Sequence, residues 1–395
     1  MRKINLSLNF AAFVLAIGIF GMADVAWGIT YLGARLIGDQ VIGWGLRSYG
    51  MGGAGVAGSE EAATILNNPA TMNFVEQKQA AIGFAYTPFT ERVVTSDNKT
   101  YYNDASYFSI NNFAFVIPTK DSRFAFGLAY APFYDYNYSH RQNLYSVTAP
   151  STKTGYKEIQ ATGSAPMIAP GVSVLFGESF SVGISYGMLS GAYTYKQKEI
   201  DTTTTPATIV SDASSDVTIS GGMINLGAVY SAKPVRFGLY YAGASSVKLK
   251  SSLGTEATLE IPSYIALGLA WDFGGRYNTK LAVDILPIGY SGATSGGNSL
   301  GWSDITVIKI GVEHMISEDF PIRYGYYCLP YYGDKKIDLV AFTLGLGYKV
   351  SDRFYLDLAG EYGKRNFVGD DNFFTTKDTI DESFKKILFG ANYKW

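Results

Sequence analysis

A single cysteine in 395 residues, Cys328, leaves no partner for an intrachain disulfide. Stability outside the cytoplasm would then rest on hydrogen bonding and packing. Cys328 itself reads as a small apolar strand residue, with a reactive thiol as the alternative. Histidine is nearly as scarce: His140 and His314 are the only two, and neither stands in a triad or at metal-ligand spacing. Both read as polar rim residues, and no catalytic residue, metal site or cofactor is expected. Charged residues make up 17% and the net charge is −2, with no dense basic run beyond Lys385-Lys386, so nothing calls for nucleic acid. Beyond the first 28 residues no apolar run is long enough to cross a bilayer as a helix. Any membrane insertion must therefore use strands.

What the chain does have is aromatic residues at 15%, among them 30 Tyr, together with 44 Gly and apolar residues spread evenly along its length. That mixture suits short strands, tight turns and interfacial aromatic belts. Arg2 and Lys3, an apolar stretch from about Leu6 to Met22, and Ala26-Trp27-Gly28 together read as a signal peptide over residues 1–28. An uncleaved membrane helix is the rival reading.

From Gln79 onward one grammar repeats: about ten alternating residues, a short polar turn, another alternating run, a longer polar loop. Short turns fall at Thr119 to Ser122, Gly177 to Ser179, Ala232 to Pro234, Gly274 to Tyr277, Ser317 to Asp319 and Ser351 to Arg353. Longer connections are expected near 88–106, 134–159, 196–214, 251–258, 288–302 and 367–380, with a brief one at 333–338. Strict alternation of short and long is the asymmetry of outer-membrane barrels, whose short side is periplasmic. The runs count to about fourteen strands. In the stretch Val340 to Val350, Phe342, Leu344, Leu346 and Tyr348 share one face while Ala341, Thr343, Gly345 and Gly347 share the other. The fold class expected is all-β: a transmembrane antiparallel β-barrel over residues 79–395, with an N-terminal hatch, or plug, at 29–78 that contains a short helix.

The inward faces are rich in Gly and Ala near the short turns, as at Gly83, Gly127, Gly183, Gly227, Gly238, Gly268, Gly311, Gly325 and Gly345. Such residues relieve strand twist. A ring of them would also clear room for the hatch. In the hatch, Ser59 with Glu60 and Glu61 reads as an N-cap and acidic first turn of a helix through Leu66, ended by Asn67-Asn68-Pro69. Gly50, Gly52 and Gly55 match G-x-G-x-x-G, but the βαβ context of a dinucleotide site is missing. These glycines, with Gly53, read instead as places where the plug backbone packs on the barrel wall.

The stretch GMGGAGVAGSEEAATILNNPATM resembles the N-terminal hatch of the FadL/OmpP1/TodX family of outer-membrane transporters for long-chain fatty acids and hydrocarbons, with Asn68-Pro69-Ala70 matching its Asn-Pro-Ala motif. The resemblance implies a fourteen-stranded barrel, capture of an amphipathic ligand at the outer loops, and sideways exit through a gap made by an inward kink of the third strand. Related families with the same motif, including shuttle proteins of type IX secretion, leave the cargo open. In the third strand, Pro132 removes a ladder donor and marks either that defect or the strand's end at the outer rim.

Lumen-facing charges at Arg236, Lys280, Asp284, Lys309, Glu313, Arg323, Lys349, Asp357 and Glu361 are expected to pair across the barrel. Arg47, Lys309 and Arg323 are the candidates for holding a substrate carboxylate. Asn68, Pro69 and Pro132 complete the expected transport residues. Phe133, Tyr134, Tyr136 and Tyr138 could form a greasy landing groove or an interfacial girdle. The function expected is passive, non-enzymatic transport of a fatty acid or hydrocarbon across the outer membrane of a diderm bacterium. Its expected partners are outer-membrane lipid, lipopolysaccharide and the barrel insertion machinery. Two rivals stand: a secretion-associated or structural barrel that binds a protein, and a general porin, against which the plug argues.

Overall fold

The computed structural model describes residues 31–32, 37, 39–40 and 43–395, less positions 59, 122, 147, 150, 276, 371 and 372. The expected signal peptide and the Ser59 cap lie outside the described residues.

The chain forms a closed antiparallel barrel of fourteen strands. They are β1 (Gln79–Val94), β2 (Thr100–Pro118), β3 (Phe124–Asp135, resumed at Tyr138–Tyr145), β4 (Lys153–Phe176) and β5 (Phe180–Asp201). Next come β6 (Thr208–Ala232), β7 (Val235–Ala242 and Ser245–Ser251), β8 (Glu256–Ile261 and Tyr264–Gly274) and β9 (Thr279–Ile288). The wall ends with β10 (Ile305–Ser317), β11 (Phe320–Pro330), β12 (Asp338–Ser351), β13 (Phe354–Val368) and β14 (Thr379–Lys394). Each strand pairs with its chain neighbours, and β1 closes on β14 from Gln79↔Lys394 to Val94↔Thr379. The Trp395 amide donates to the Lys78 carbonyl at 3.0 Å, so both ends of the barrel sit on the short-turn side.

All six expected short turns separate strands where the sequence puts them. On the other side the expected loops are shorter than the sequence suggests: β1 runs to Val94, β2 starts at Thr100, and β5 and β6 fill most of 196–214. The reason is that strand segments standing clear of the belt need no apolar outward face. They keep the ladder but lose the alternation that betrays a strand.

The outward face is apolar. Phe126, Ile184, Leu226, Leu267, Phe342, Leu344, Leu358 and Phe389 are all exposed, with Phe124, Phe176, Phe180, Trp271, Phe273 and Trp395 clustered beside the short turns. A continuous ring of that kind is unfavourable in water and suits hydrocarbon bounded by an aromatic girdle. The inward face carries the small and charged residues, such as Ala341, Thr343, Ala359 and Asp357, all buried.

Residues 43–78 fill the lumen at the short-turn end. The expected helix ends at Leu66 as the sequence suggests, but it is of 3-10 type and starts at Ala62. The α-helix, α1, is Leu46–Gly50 in the glycine-rich stretch, and Ala62–Leu66 is a 3-10 turn with no side-chain cap. A second 3-10 turn, Pro69–Phe74, follows. Glu61 is not in the first turn of a helix that it stabilises locally. Its carboxylate accepts the Ser48 amide at 2.9 Å and the Arg47 amide at 3.1 Å, and so caps α1 from across the hatch.

Candidate functional site

The hatch is held to the wall first by backbone approach. A methyl group at Gly268 would lie 2.7 Å from the Ala57 nitrogen, one at Gly183 would lie 2.5 Å from the Pro69 carbonyl carbon, and one at Gly345 would lie 3.0 Å from the Gly50 α-carbon. Gly238, Gly311 and Gly325 meet the backbone of Val56, Met51 and Gly52 in the same way. Only glycine lets two backbones come so close. In the hatch, Gly52 has φ +67° and its missing side chain faces the Tyr326 and Ile310 backbones, while Gly53 has φ +75°. Gly50 faces Gly345 and Gly55 faces the Asn67 side chain. The Asn-Pro segment ties the hatch to itself and to the wall. The Asn68 oxygen accepts the Ala70 amide at 3.0 Å, its nitrogen donates to the Val56 carbonyl at 2.7 Å and the Leu239 carbonyl at 3.2 Å, and Pro69 opens the second 3-10 turn.

Charge fastens the same region. Arg47 Nε donates to Glu313 at 2.9 Å, and Arg47 Nη1 pairs with Glu60 at 3.1 Å. Glu60 also meets Arg236 at 2.7 Å and Lys280 at 3.0 Å. Arg323 bridges Glu313 and Asp357, each at 2.6 Å, and Asn392 supports Asp357 at 2.9 Å. The Tyr49 hydroxyl donates to Glu361. Burial works against the Glu60 charge, yet Lys280, Arg47 and Arg236 outweigh it and hold the carboxyl well below its ordinary range. Burial pushes the Glu61 carboxyl up, opposed by the two α1 amides. Two of the three cations expected to receive a carboxylate, Arg47 and Arg323, are thus engaged by the wall's own acids.

Lys309 differs. It stands opposite Asp284 in the β9–β10 ladder, but Asp284 gives its oxygens to the hatch amides of Gly55 at 2.7 Å and Val56 at 3.1 Å. Among the described residues Lys309 forms no direct ion pair, and Asp284 is the acid whose charge acts on it. It borders a cavity of about 30 Å³ with Trp44, Val56, Leu66, Tyr240, Tyr264 and Ile288. This is an apolar, aromatic pocket with one buried ammonium.

Beside that pocket the wall is incomplete. Among the described residues β2 pairs with β3 only from Phe113↔Tyr130 to Pro118↔Ala125, so Thr100 to Asn112 show no ladder partner on that side. Past Tyr130 the hatch replaces β2. The Trp44 indole donates to the Pro132 carbonyl at 3.1 Å and stacks on Phe133 at 5.8 Å, and the extended pair Asp39–Gln40 pairs with Asp135 and Tyr134. On the β4 side the register shifts between Pro132 and Tyr134. Pro132 therefore lies inside β3, at the point where β3 leaves β2.

At the long-loop end Glu91 is buried and accepts from the Tyr138 hydroxyl at 2.9 Å, with His140 Nδ1 at 2.9 Å. His140 is thus a buried strand residue and not the rim residue expected; the Tyr31, Phe373 and Phe374 rings close over Tyr138 and His140. Pairing with β4 carries this stretch of β3 into the lumen, which a polar sequence could not reveal. His314 is half-buried near the short-turn end of β10, bonded to Thr279 at 2.8 Å. Tyr134, Tyr136 and Tyr138 are buried in the lumen. Sequence reasoning missed Trp44, Tyr240, Tyr264 and Glu91; only Trp44, a lone indole in a glycine-rich segment, carried a signal.

A family model described as BamG matches residues 36–268. Among solved structures, a Pseudomonas aeruginosa FadL homologue is similar at 15% identity and TM-score 0.60, over 90% of this chain and 99% of that one. The Ralstonia pickettii toluene transporter TbuX is similar at 14% identity and TM-score 0.59, over 89% and 98%. The P. putida toluene transporter TodX matches at 14% and 0.58, over the same shares. No curated protein matches the chain. At these identities the likeness is one of fold.

Proposed function

The chain belongs to the BamG family, and from that premise we propose that it is an outer-membrane barrel of a diderm bacterium that conducts a hydrophobic or amphipathic small molecule passively. Residues 29–78 act as its hatch. The cargo enters at the long-loop end, rests against the hatch beside Lys309, and leaves sideways between β2 and β3. The observation that carries this reading is the break in the β2–β3 ladder, where an aromatic hatch residue stands in place of a strand. The apolar pocket with a buried ammonium, next to that break, suits a chain with one anionic end. The pocket has room for about one water as it stands, so cargo enters only as Trp44 or Tyr264 swings aside. Hydrocarbon transporters of the same fold add support.

Uptake of labelled oleate and of toluene by a deletion strain tests the reading. Wild-type protein should restore both, and Lys309→Met should lower oleate uptake about tenfold, the value of one charge-assisted bond, while sparing toluene. Oleate uptake that re-expression leaves unchanged ends the fatty-acid cargo.

Membership of BamG, with its hint of barrel assembly machinery, favours a second reading, a barrel that binds a protein partner. Stoichiometric co-purification of an identified partner, without restored uptake, would decide for it.

A further inference from the structure

Where β2 and β3 part, β2 carries a bulge. Its register against β1 shifts between Gly83 and Phe84, which face Asn112 and Ile110, so Asn111 is the extra residue. Phe108 and Ile117 both face outward, at 51% and 37% exposed, although an odd number of residues separates them. Alternation allows that only if the bulge absorbs one residue on the inner face. Asn111 and Asn112 therefore both turn toward the lumen, and neither has any exposed surface. They are also the residues of β2 that directly precede its pairing with β3, which begins at Phe113↔Tyr130. Two residues beyond Tyr130, across the gap, stands Pro132, whose carbonyl is held by the Trp44 indole at 3.1 Å.

The two amides satisfy each other only in part. Asn111 Nδ2 donates to Asn112 Oδ1 at 3.1 Å, which leaves Asn111 Oδ1 and Asn112 Nδ2 buried with no hydrogen-bond partner among the described residues. Turning both amides over would leave the same offer, one acceptor and one donor. Further along each strand the polar side chains are spent elsewhere: Ser109 Oγ donates to the Ala85 carbonyl at 3.2 Å, and Asp135 accepts from the Asn137 backbone amide at 3.0 Å and its Nδ2 at 3.1 Å. Buried polar groups are hydrogen-bonded with few exceptions, so an orphan pair calls for an occupant. The call is stronger in a wall that faces hydrocarbon, where no bulk water compensates the loss.

We propose that the Asn111–Asn112 pair binds the head of the departing cargo, and that it takes a group that both donates and accepts a hydrogen bond: a hydroxyl or an un-ionised carboxyl. The inference rests on the reading that cargo leaves between β2 and β3. A carboxylate has no proton for the Asn111 oxygen and would face its partial negative charge, and a full charge carried out into hydrocarbon is costly. A plain hydrocarbon passes the pair without using it. Trp44 borders the Lys309 pocket and closes the gap at Pro132, so one swing of its ring joins the two places. They differ in a way that a test can use, because an ammonium only donates. An ether oxygen suits Lys309 as well as a hydroxyl does; only the asparagine oxygen needs the hydroxyl proton.

The test uses the full-length protein in detergent micelles and compares tritiated oleyl alcohol with oleyl methyl ether at equilibrium. Wild type should bind the alcohol about fivefold tighter, as one neutral hydrogen bond converts. Asn111→Leu combined with Asn112→Leu should weaken the alcohol more than the ether until the two bind alike. The melting temperature of that variant should hold or rise, because apolar side chains of similar shape replace two half-satisfied amides. Should the double variant misfold, Asn111→Ala alone, which removes the acceptor, should bring the alcohol down to the ether's affinity. If wild type binds both probes equally, the pair holds a structural water only, and the proposal fails while the conducting reading stands. A preference that survives both variants also overturns it, by assigning the hydroxyl to another acceptor. Binding of neither probe by wild type ends the conducting reading and this inference with it.

Discussion

The two halves of the lumen are built on opposite principles. At the short-turn end, wall glycines meet hatch backbone and every acid of the Glu60, Glu313 and Asp357 group has a cation beside it. Nothing there can move without parting a buried charge from its partner, which is among the costlier single changes a protein can suffer. The long-loop end has buried polar contacts too, Glu91 with Tyr138 and His140 and Arg365 with Glu382, but they lie among aromatic rings, an interrupted strand, and a β2 edge with no ladder partner from Thr100 to Asn112 among the described residues. Ring contacts are individually weak and tolerate sliding. The contrast makes the plug an anchored floor and leaves the interrupted ladder and the small pocket above it.

The largest expected effect tests the floor. Arg47→Ala removes one cation from Glu313, which keeps Arg323, and one from Glu60, which keeps Arg236 and Lys280, and should destabilise the hatch by about 1.5–3 kcal/mol. Limited proteolysis should then cut between residues 43 and 78 while the barrel stays intact. An unchanged cleavage rate would erase the distinction between the halves. A smaller effect tests the boundary between them. Trp44→Phe keeps the stack on Phe133 but removes the donor to Pro132, a loss of about 1 kcal/mol. Amide exchange should quicken at β3 near Pro132 and stay slow in β10 to β13; uniform quickening would mean that the floor and the break are one unit.

The smallest effect concerns pH. Glu60 is a carboxyl whose range is lowered in the fold by Lys280, Arg47 and Arg236, against its burial. Its contribution is therefore fully present above the unfolded value of about 4.3, and is lost as pH falls through the lowered folded value. The difference in melting temperature between wild type and Glu60→Gln should be constant from neutral pH down to about that value and shrink only below it. Glu60→Gln should flatten the acid limb.

The features that a local pattern encodes were readable in the chain alone. Alternation with period two marks each strand and its outward face, because successive side chains point to opposite sides whatever else the chain does. Polar, glycine-bearing breaks mark the turns. Hence the fourteen strands, the six short turns and the outward Phe342, Leu344 and Leu358 needed no tertiary information. The ring of wall glycines was visible as composition, but its use was not, since the hatch backbone that each one meets lies far away in sequence.

Where the pattern was silent, only the closed barrel decided. Arg47 reaches Glu313, and Glu91 reaches His140, because curvature of the sheet brings distant inward faces together. Glu61 looked like the start of its own helix and instead caps α1, since a buried carboxylate goes to the free amides nearest in space. Polar strand segments above the belt passed for loops because their outward face had no need to be apolar. The alternation of single residues determined the wall of this protein; closure of that wall around residues 43–78 determined which charges are matched, where the ladder opens, and that Lys309 alone of the three candidate cations faces a pocket without an acid bound to it.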